Sequence, residues 1–150
     1  MRVVMQRVTQ ASVTVDEKIV SKIDQGLLIL LGIEDADTSQ DVDWLIGKIC
    51  KMRIFDDVDG KMNLSLMDTA GESLVVSQFT LHANVKKGNR PSFIRAARPE
   101  KAIPLYEEFC SSLSAALGKK VGQGIFGAMM SVDLTNDGPV TILIDSQNRE

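Results

Sequence analysis

One stretch limits what this chain can fold into more than any other: Gly26-Leu27-Leu28-Ile29-Leu30-Leu31-Gly32-Ile33. It carries no polar side chain, so neither of its faces tolerates water. A continuous run of this kind, bounded by glycines, suits a strand buried on both faces rather than the alternating pattern of a half-exposed one. Such a strand needs structure above and below it, hence a layered domain. The 150 residues are the length of one ordinary domain, expected to span 1–150. A chain that long buries roughly 68–70% of its unfolded surface. Aromatic residues are only 5% of the chain, so the core must rest on Val, Ile, Leu and Met.

The flanking segments read as follows. Met1 to Thr9 and Ala11 to Ile23 are rich in β-branched residues with partial alternation (Val13, Val15, then Ile19 and Ile23), and Asp16-Glu17-Lys18 forms the turn within the second stretch. Thr38 to Met52 reads as a helix: Thr38 and Asp41 make a capping pair, and Val42, Leu45, Ile46 and Ile49 fall on one face. Asp56 to Asn63 is turn-rich, Ser73 to Leu81 returns to β, and Lys87 to Ser92 reads as a loop. A second helix lies between Pro99 and Leu117, striped by Tyr106, Phe109, Leu113 and Leu117 and stopped at Gly118. Its start is left open, because Pro104 fits best in a first turn. Gly122, Gly124 and Gly127 lead into two strands near Met129–Thr135 and Val140–Asp145. The order β-β-β-α-β-α-β-β predicts an α/β fold, a mixed, barrel-like sheet in a three-layer arrangement with both helices packed on one side. It is not the regular alternation of a nucleotide-binding fold, and there is no Walker or GxGxxG pattern.

Charge is segregated. The net value is −3. Lys86, Lys87, Arg90, Arg95, Arg98 and Lys101 against Glu100 give a local +5, which leaves −8 on the remainder. Such a segment can meet a polyanion at one place, or it can be a solvated loop, and charge alone does not choose. Cys50 and Cys110 fall in the two helices, without the spacing of a disulfide framework or a metal site, and are expected to be buried free thiols. No apolar run reaches signal-peptide or membrane-span length, so no membrane association and a cytoplasmic location are expected.

Several residue groups invite chemistry. Asp57, Asp59 and Gly60 suggest a calcium loop, but with Gly60 at its sixth position the first and twelfth would be Phe55 and Leu66, which cannot ligate. A polar turn is the better reading. His82, the single histidine, follows Thr80 by two residues, so on a strand the two would share a face as a nucleophile–base dyad with no third group to orient it. Ser77-Gln78-Phe79-Thr80-Leu81 places three hydrogen-bonding side chains at a strand end, either a ligand-binding edge or an ordinary alternating strand. Asn136-Asp137-Gly138-Pro139-Val140-Thr141 reads as a turn between two strands.

Taken together, Gln6-Arg7-Val8-Thr9, Ala11-Ser12-Val13, Ser77 to Leu81, Arg90-Pro91-Ser92-Phe93 and Asn136 to Thr141 resemble the D-aminoacyl-tRNA deacylase family over essentially the whole chain. The SQFTL and GPVT segments are its signatures, and both are intact here.

That resemblance implies hydrolysis of the ester between a D-amino acid and tRNA, as chiral proofreading in translation quality control, with glycine also accepted. It implies a homodimer in which Gly138 and Pro139 of one subunit, with Pro139 cis, enter the partner's active site and reject L-substituents. Arg7 would support that motif. Ser77, Gln78, Phe79 and Thr80 would form the catalytic segment, the backbone N–H groups near Phe79 and Thr80 acting as oxyanion donors. Phe126 and Met130 match positions lining an adenosine pocket. Thr80 as nucleophile and a route assisted by the 2′-hydroxyl of the terminal adenosine are both open, the second suiting the lack of a base. No cofactor, no metal and no DNA partner are implied. The competing readings are a non-catalytic RNA-binding dimer on the same scaffold and a Thr-His hydrolase of small esters.

Overall fold

A computed structural model describes residues 1–149. The elements in order are β1 (Arg2–Val15), β2 (Lys18–Ile23), β3 (Gly26–Gly32), α1 (Ser39–Lys51), β4 (Phe55–Asp56), β5 (Met62–Leu64), β6 (Glu72–Ser77), a 3-10 turn (Phe79–His82), α2 (Pro99–Leu117), β7 (Gly122–Gln123) and β8 (Ser131–Asp145). The strand order is β2-β1-β3-β6-β7, with β8 also paired to β1. Val3 of β1 pairs with both Leu31 and Ile144, and Val13 with both Ser21 and Val132. One edge of β1 is therefore divided between β3 and β2, while β8 follows the other edge along nearly its whole length. β3 and β6 run parallel. The sheet curls until β2 approaches β6 and β7, which makes it barrel-like.

The Gly26–Ile33 run behaves as its composition demands. Leu27, Ile29 and Leu31 face the helices together with Met1, Val3, Met5 and Val75. Leu28 turns the other way and packs inside the curl with Val8, Ala11, Val13, Ile23, Leu74 and Val76. Burying each such aliphatic side chain contributes roughly 1.5–3 kcal/mol. Both helices cover one face: α1 contributes Val42, Leu45, Ile46 and Ile49, and α2 contributes Tyr106, Phe109 and Leu113. The capping pair is present, the Asp41 carboxylate accepting from the Thr38 N–H at 2.9 Å. Gly118 ends α2, and both cysteines are buried free thiols.

Three expectations need correction. β6 ends at Ser77, and the chain then tightens into the 3-10 turn instead of continuing as strand to Leu81. The two strands expected near the C-terminus are one, β8, interrupted by a bulge. α2 begins at Pro99 and carries Pro104 in its interior, not its first turn. The first bonds run from the Lys101 and Ala102 N–H groups to the Arg98 carbonyl, at 3.0 and 2.8 Å. An interior proline costs about 3 kcal/mol. Burial of Ala102, Leu105, Tyr106 and Phe109 around it offsets that cost.

The ends of the chain are tied by acids. The Met1 amino group pairs with Asp37, and Arg2 Nε donates to Asp145 at 2.8 Å. Burial alone would raise the Asp41 and Asp145 pKa values, but hydrogen bonds from Ser146 and Thr38 to Asp41, and from Arg2 to Asp145, hold both below the ordinary 3.8. A depressed folded value means the stabilisation is complete above the unfolded pKa and is lost as pH falls through the folded one. The double variant Asp41→Asn/Asp145→Asn should accordingly be less stable than the parent at neutral pH, with a shallower fall of the urea midpoint below about pH 4. Parallel acid limbs in the two proteins would contradict this assignment.

Candidate functional site

Four chain segments meet at the C-terminal end of β6. Ser77, Gln78 and Phe79 form one side of a cavity of about 380 Å³, Phe126 and Met130 stand opposite, and Leu31, Ala97 and Ala102 close it from below. Five of the sequence-predicted residues are thus brought into one space. Thr80 follows directly, in the 3-10 turn.

The turn sits where it does because of Gly32. A Cβ there would come within 3.0 Å of both the Gln78 carbonyl oxygen and Leu81 Cβ, and 3.1 Å of His82 Cδ2. A side chain in β3 would push the turn outward by a few tenths of an ångström at this point. The Gln78 N–H donates to the Leu31 carbonyl at 2.8 Å, and Arg2 Nη1 donates to the Leu81 carbonyl at 3.0 Å, so the turn is held at both ends. Its first internal bond runs from the Leu81 N–H to the Gln78 carbonyl, at 3.2 Å. The N–H groups of Phe79 and Thr80 precede that bond and lie outside the turn's own pattern, as the leading N–H groups of any helix do.

The side chains are arranged without a nucleophile–base pair. Gln78 Nε2 donates to Thr80 Oγ1. His82 is fully buried beneath the turn, and neither ring nitrogen has a hydrogen-bond partner among the described residues. Its nearest charged neighbour is Glu34, 3.8 Å from Nδ1. The Thr80–His82 dyad is therefore not formed: the strand geometry that would align the two residues gives way to a 3-10 turn that points His82 inward. The calcium-loop residues form a turn, Asp57 Oδ1 accepting the Asp59 and Lys61 N–H groups at 2.9 and 3.1 Å.

Phe126 is backed by Tyr106 of α2, ring centroids 5.9 Å apart in an edge arrangement, while the Tyr106 hydroxyl donates to the Val75 carbonyl at 2.9 Å. Burial pushes the Tyr106 hydroxyl well above its usual range and the Cys110 thiol up to about 11, so both stay neutral in the core. On the opposite rim Phe93 meets Phe79 edge-on at 5.1 Å. Phe93, Ala97 and Ala102 line or rim the site without having been singled out as such. Small or apolar residues, here two in the segment before α2 and one in its first turns, carry no chemical signal, and only the fold brings them here.

The remaining predicted residues form a second cluster, outside this cavity. Gln6 pairs with Thr141 and Val8 with Asn136, so four residues of β8, 137–140, stand opposite Arg7 alone. The strand bulges out there with Gly138 and Pro139 exposed at its crest, joined by a cis peptide bond. Gly138 has φ 124°, and a Cβ would lie 2.8 Å from Val140 Cγ2, so glycine alone fits. Beneath the crest Arg7 is buried. Its Nε donates to the Asp137 carbonyl at 3.2 Å, and its Nη1 to the Ile54 carbonyl at 2.7 Å and to Asp56 Oδ1 at 3.2 Å. Asn136 Nδ2 closes the bulge from the other side by donating to the carbonyls of Arg7 (3.0 Å) and Val140 (2.9 Å). Asn136 opens the segment that the sequence marks as a turn, whereas nothing in the sequence marks Asp56 as a partner of Arg7.

Residues 4–145 match the model of the D-Tyr-tRNA(Tyr) deacylase family. A D-aminoacyl-tRNA deacylase of Flavobacterium johnsoniae is 62% identical, and one of Porphyromonas gingivalis 63%, each over 150 residues covering the whole of both chains. A solved structure titled c-Myc DNA Unwinding Element Binding Protein superposes with a TM-score of 0.92 at 43% identity, covering 97% of this chain and 98% of that one. A probable eukaryotic D-amino acid tRNA deacylase, at 21% identity and a TM-score of 0.83, shares the fold. The chain belongs to the D-Tyr-tRNA(Tyr) deacylase family.

Arg7 supplies a direct check of the second cluster. Lysine keeps the charge but cannot donate to three acceptors in a planar fork. Arg7→Lys should lose about 1–3 kcal/mol of stability in urea unfolding. An unchanged midpoint would mean that the bulge does not depend on the guanidinium.

Proposed function

We propose that this protein hydrolyses the ester of D-aminoacyl-tRNA, releasing the D-amino acid and tRNA, and spares L-aminoacyl-tRNA. The observation that carries the reading is the pairing of two unlike features on one chain. One is a cavity with free backbone N–H groups at its lip and an aromatic and thioether wall. The other is a rigid backbone crest outside it. The names of the relatives point the same way.

In the cavity the terminal adenosine stacks its base against Phe126 and Met130, whose aromatic face and polarizable sulfur suit a nucleobase. The ester carbonyl lies at the turn. Water attacks its carbon, and the N–H groups of Phe79 and Thr80 stabilise the oxyanion that develops, a contribution of about 3–4 kcal/mol for one such donor in other hydrolases. The bond from that carbon to the ribose 3′-oxygen then breaks, and the proton given up by the water ends on the 3′-oxygen. With the Thr80 hydroxyl engaged by Gln78 and His82 buried away from it, the neighbouring ribose 2′-hydroxyl is the group placed to relay that proton. This also makes RNA, rather than DNA, the polyanion expected.

Handedness is read by a second copy of the chain. Among the described residues β8 pairs with β1 alone, which leaves the outer edge of a 15-residue strand open, with Leu134, Leu143 and Met129 exposed beside or along it. Open edges of this length are normally covered. A homodimer covers them and delivers the Gly138-Pro139 crest of one protomer into the cavity of the other. Main-chain atoms held by Arg7 and Asn136 then occupy the space an L-side chain needs, while a D-side chain points outward and glycine has nothing to exclude. The arrangement tolerates many D-amino acids because no pocket measures the side chain.

Purified protein should deacylate D-aminoacyl-tRNA and leave its L-counterpart intact. Thr80→Ala should keep activity within about ten-fold, whereas tRNA ending in 2′-deoxyadenosine should react at least about 100-fold more slowly, the scale of a lost proton-transfer catalyst. RNA binding without turnover would overturn the hydrolase reading in favour of a non-catalytic binding dimer. Normal turnover of the deoxy substrate would remove the 2′-hydroxyl from the mechanism.

A further inference from the structure

The segment from Asn84 to Lys101 gathers six basic side chains against one acid, and its attachment to the cavity gives that charge a direction. Asn84 and Ser92 pair through two backbone bonds, the Asn84 N–H to the Ser92 carbonyl at 2.8 Å and the reverse at 3.0 Å. The residues between them form a closed, projecting loop that carries Lys86, Lys87 and Arg90, all exposed. Directly after it, Phe93 meets Phe79 at the cavity rim, and the Ala97 N–H donates to the Ile33 carbonyl at 2.9 Å while Ala97 itself lines the cavity. Loop, rim and cavity are thus one continuous structure.

All but one of the basic side chains are also uncommitted to an ion pair among the described residues. Arg95 pairs with Glu34 at 3.0 Å. No ion pair engages Lys86, Lys87, Arg90, Arg98 or Lys101 among the described residues. The remainder of the chain carries −8, the overall −3 less the local +5, and repels a polyanion. Any phosphate chain with one end in the cavity is therefore drawn across this segment and away from other surfaces.

We propose that Lys86, Lys87, Arg90 and Arg98 bind the sugar-phosphate backbone of the RNA whose aminoacylated terminus occupies the cavity. This rests on the function proposed above and adds to it the surface that separates a whole tRNA from its 3′-terminal fragment. The contact is electrostatic and carries no base specificity. Its consequences are a KM dependent on salt and a kcat that is not.

The test compares two substrates on Lys86→Gln/Lys87→Gln/Arg98→Gln and the parent: full-length D-aminoacyl-tRNA and the isolated ester D-aminoacyl-adenosine. On tRNA the variant should show KM raised about ten-fold, kcat unchanged, and a plot of log kcat/KM against log salt shallower by about one unit per phosphate contact removed. On the short ester it should match the parent. Unchanged KM and salt slope on tRNA overturn the proposal, as does an equal loss on both substrates, which would mean a damaged cavity. A changed oligomeric state of the variant also overturns it, by assigning the surface to a second copy of the chain. If the parent itself cleaves neither ester, the hydrolase reading fails first and takes this one with it, an outcome distinct from all the others.

Discussion

A single buried guanidinium holds the unusual part of this structure in place. Arg7 sits on the strand that organises the whole sheet, flanked by β3 on one edge and β8 on the other. A buried cation is costly unless its donors are satisfied, and Arg7 finds acceptors in Asp137, Ile54 and Asp56. Each lies in a different place: the bulge of β8, the segment after α1, and the short strand β4. Satisfying Arg7 therefore fixes the bulge against two other parts of the fold. Gly138 and Pro139 ride on the bulge, so their main-chain atoms inherit the rigidity of the sheet.

Rigidity of this kind is what a reading of chirality requires. L- and D-forms differ only in where two substituents of Cα point, so the discriminating atoms must be placed to a fraction of an ångström. A flexible side chain cannot do this, whereas a crest bonded to a sheet can. The cavity asks for something different. Its lip is a 3-10 turn whose leading N–H groups have no backbone acceptor among the described residues, because the turn begins there, and it is seated by the absence of a side chain at Gly32. In both places backbone, rather than a reactive side chain, supplies the polar groups.

The sequence made much of this legible, and the exceptions share a cause. The Gly26–Ile33 run announced a strand covered on both sides, and the stripes of α1 and α2 announced their buried faces, because hydrophobic periodicity acts locally. Asn136 to Thr141 looked like a turn between strands. That signal was sound for the backbone at Gly138, but whether two strands or one bulged strand result depends on the register against β1, which lies far away in sequence. Pro104 misled for a related reason: its local cost is real, and only the burial of Ala102, Leu105 and Tyr106 explains why the helix runs through it. His82 resembles a base only if residues 77–82 are extended. The tightening of the chain after Ser77, made possible by Gly32, turned it inward. The residues grouped at the site, and the separation of Gly138 and Pro139 from the cavity of their own chain, were accessible through resemblance to a family rather than through local patterning.

That division bears directly on the central claim, that the crest of one protomer completes the cavity of its partner. Phe126→Ala should disable the cavity and Gly138→Ala the crest, leaving each variant alone unable to discriminate or turn over D-aminoacyl-tRNA. Unfolded together and refolded as a mixture, the two should regain activity with D-selectivity. Random assortment into a closed dimer makes half the molecules mixed, each with one intact site of two, so roughly a quarter of parental activity should return. If the mixture stays as inactive as its components, crest and cavity of the same chain must act together, and the account is wrong.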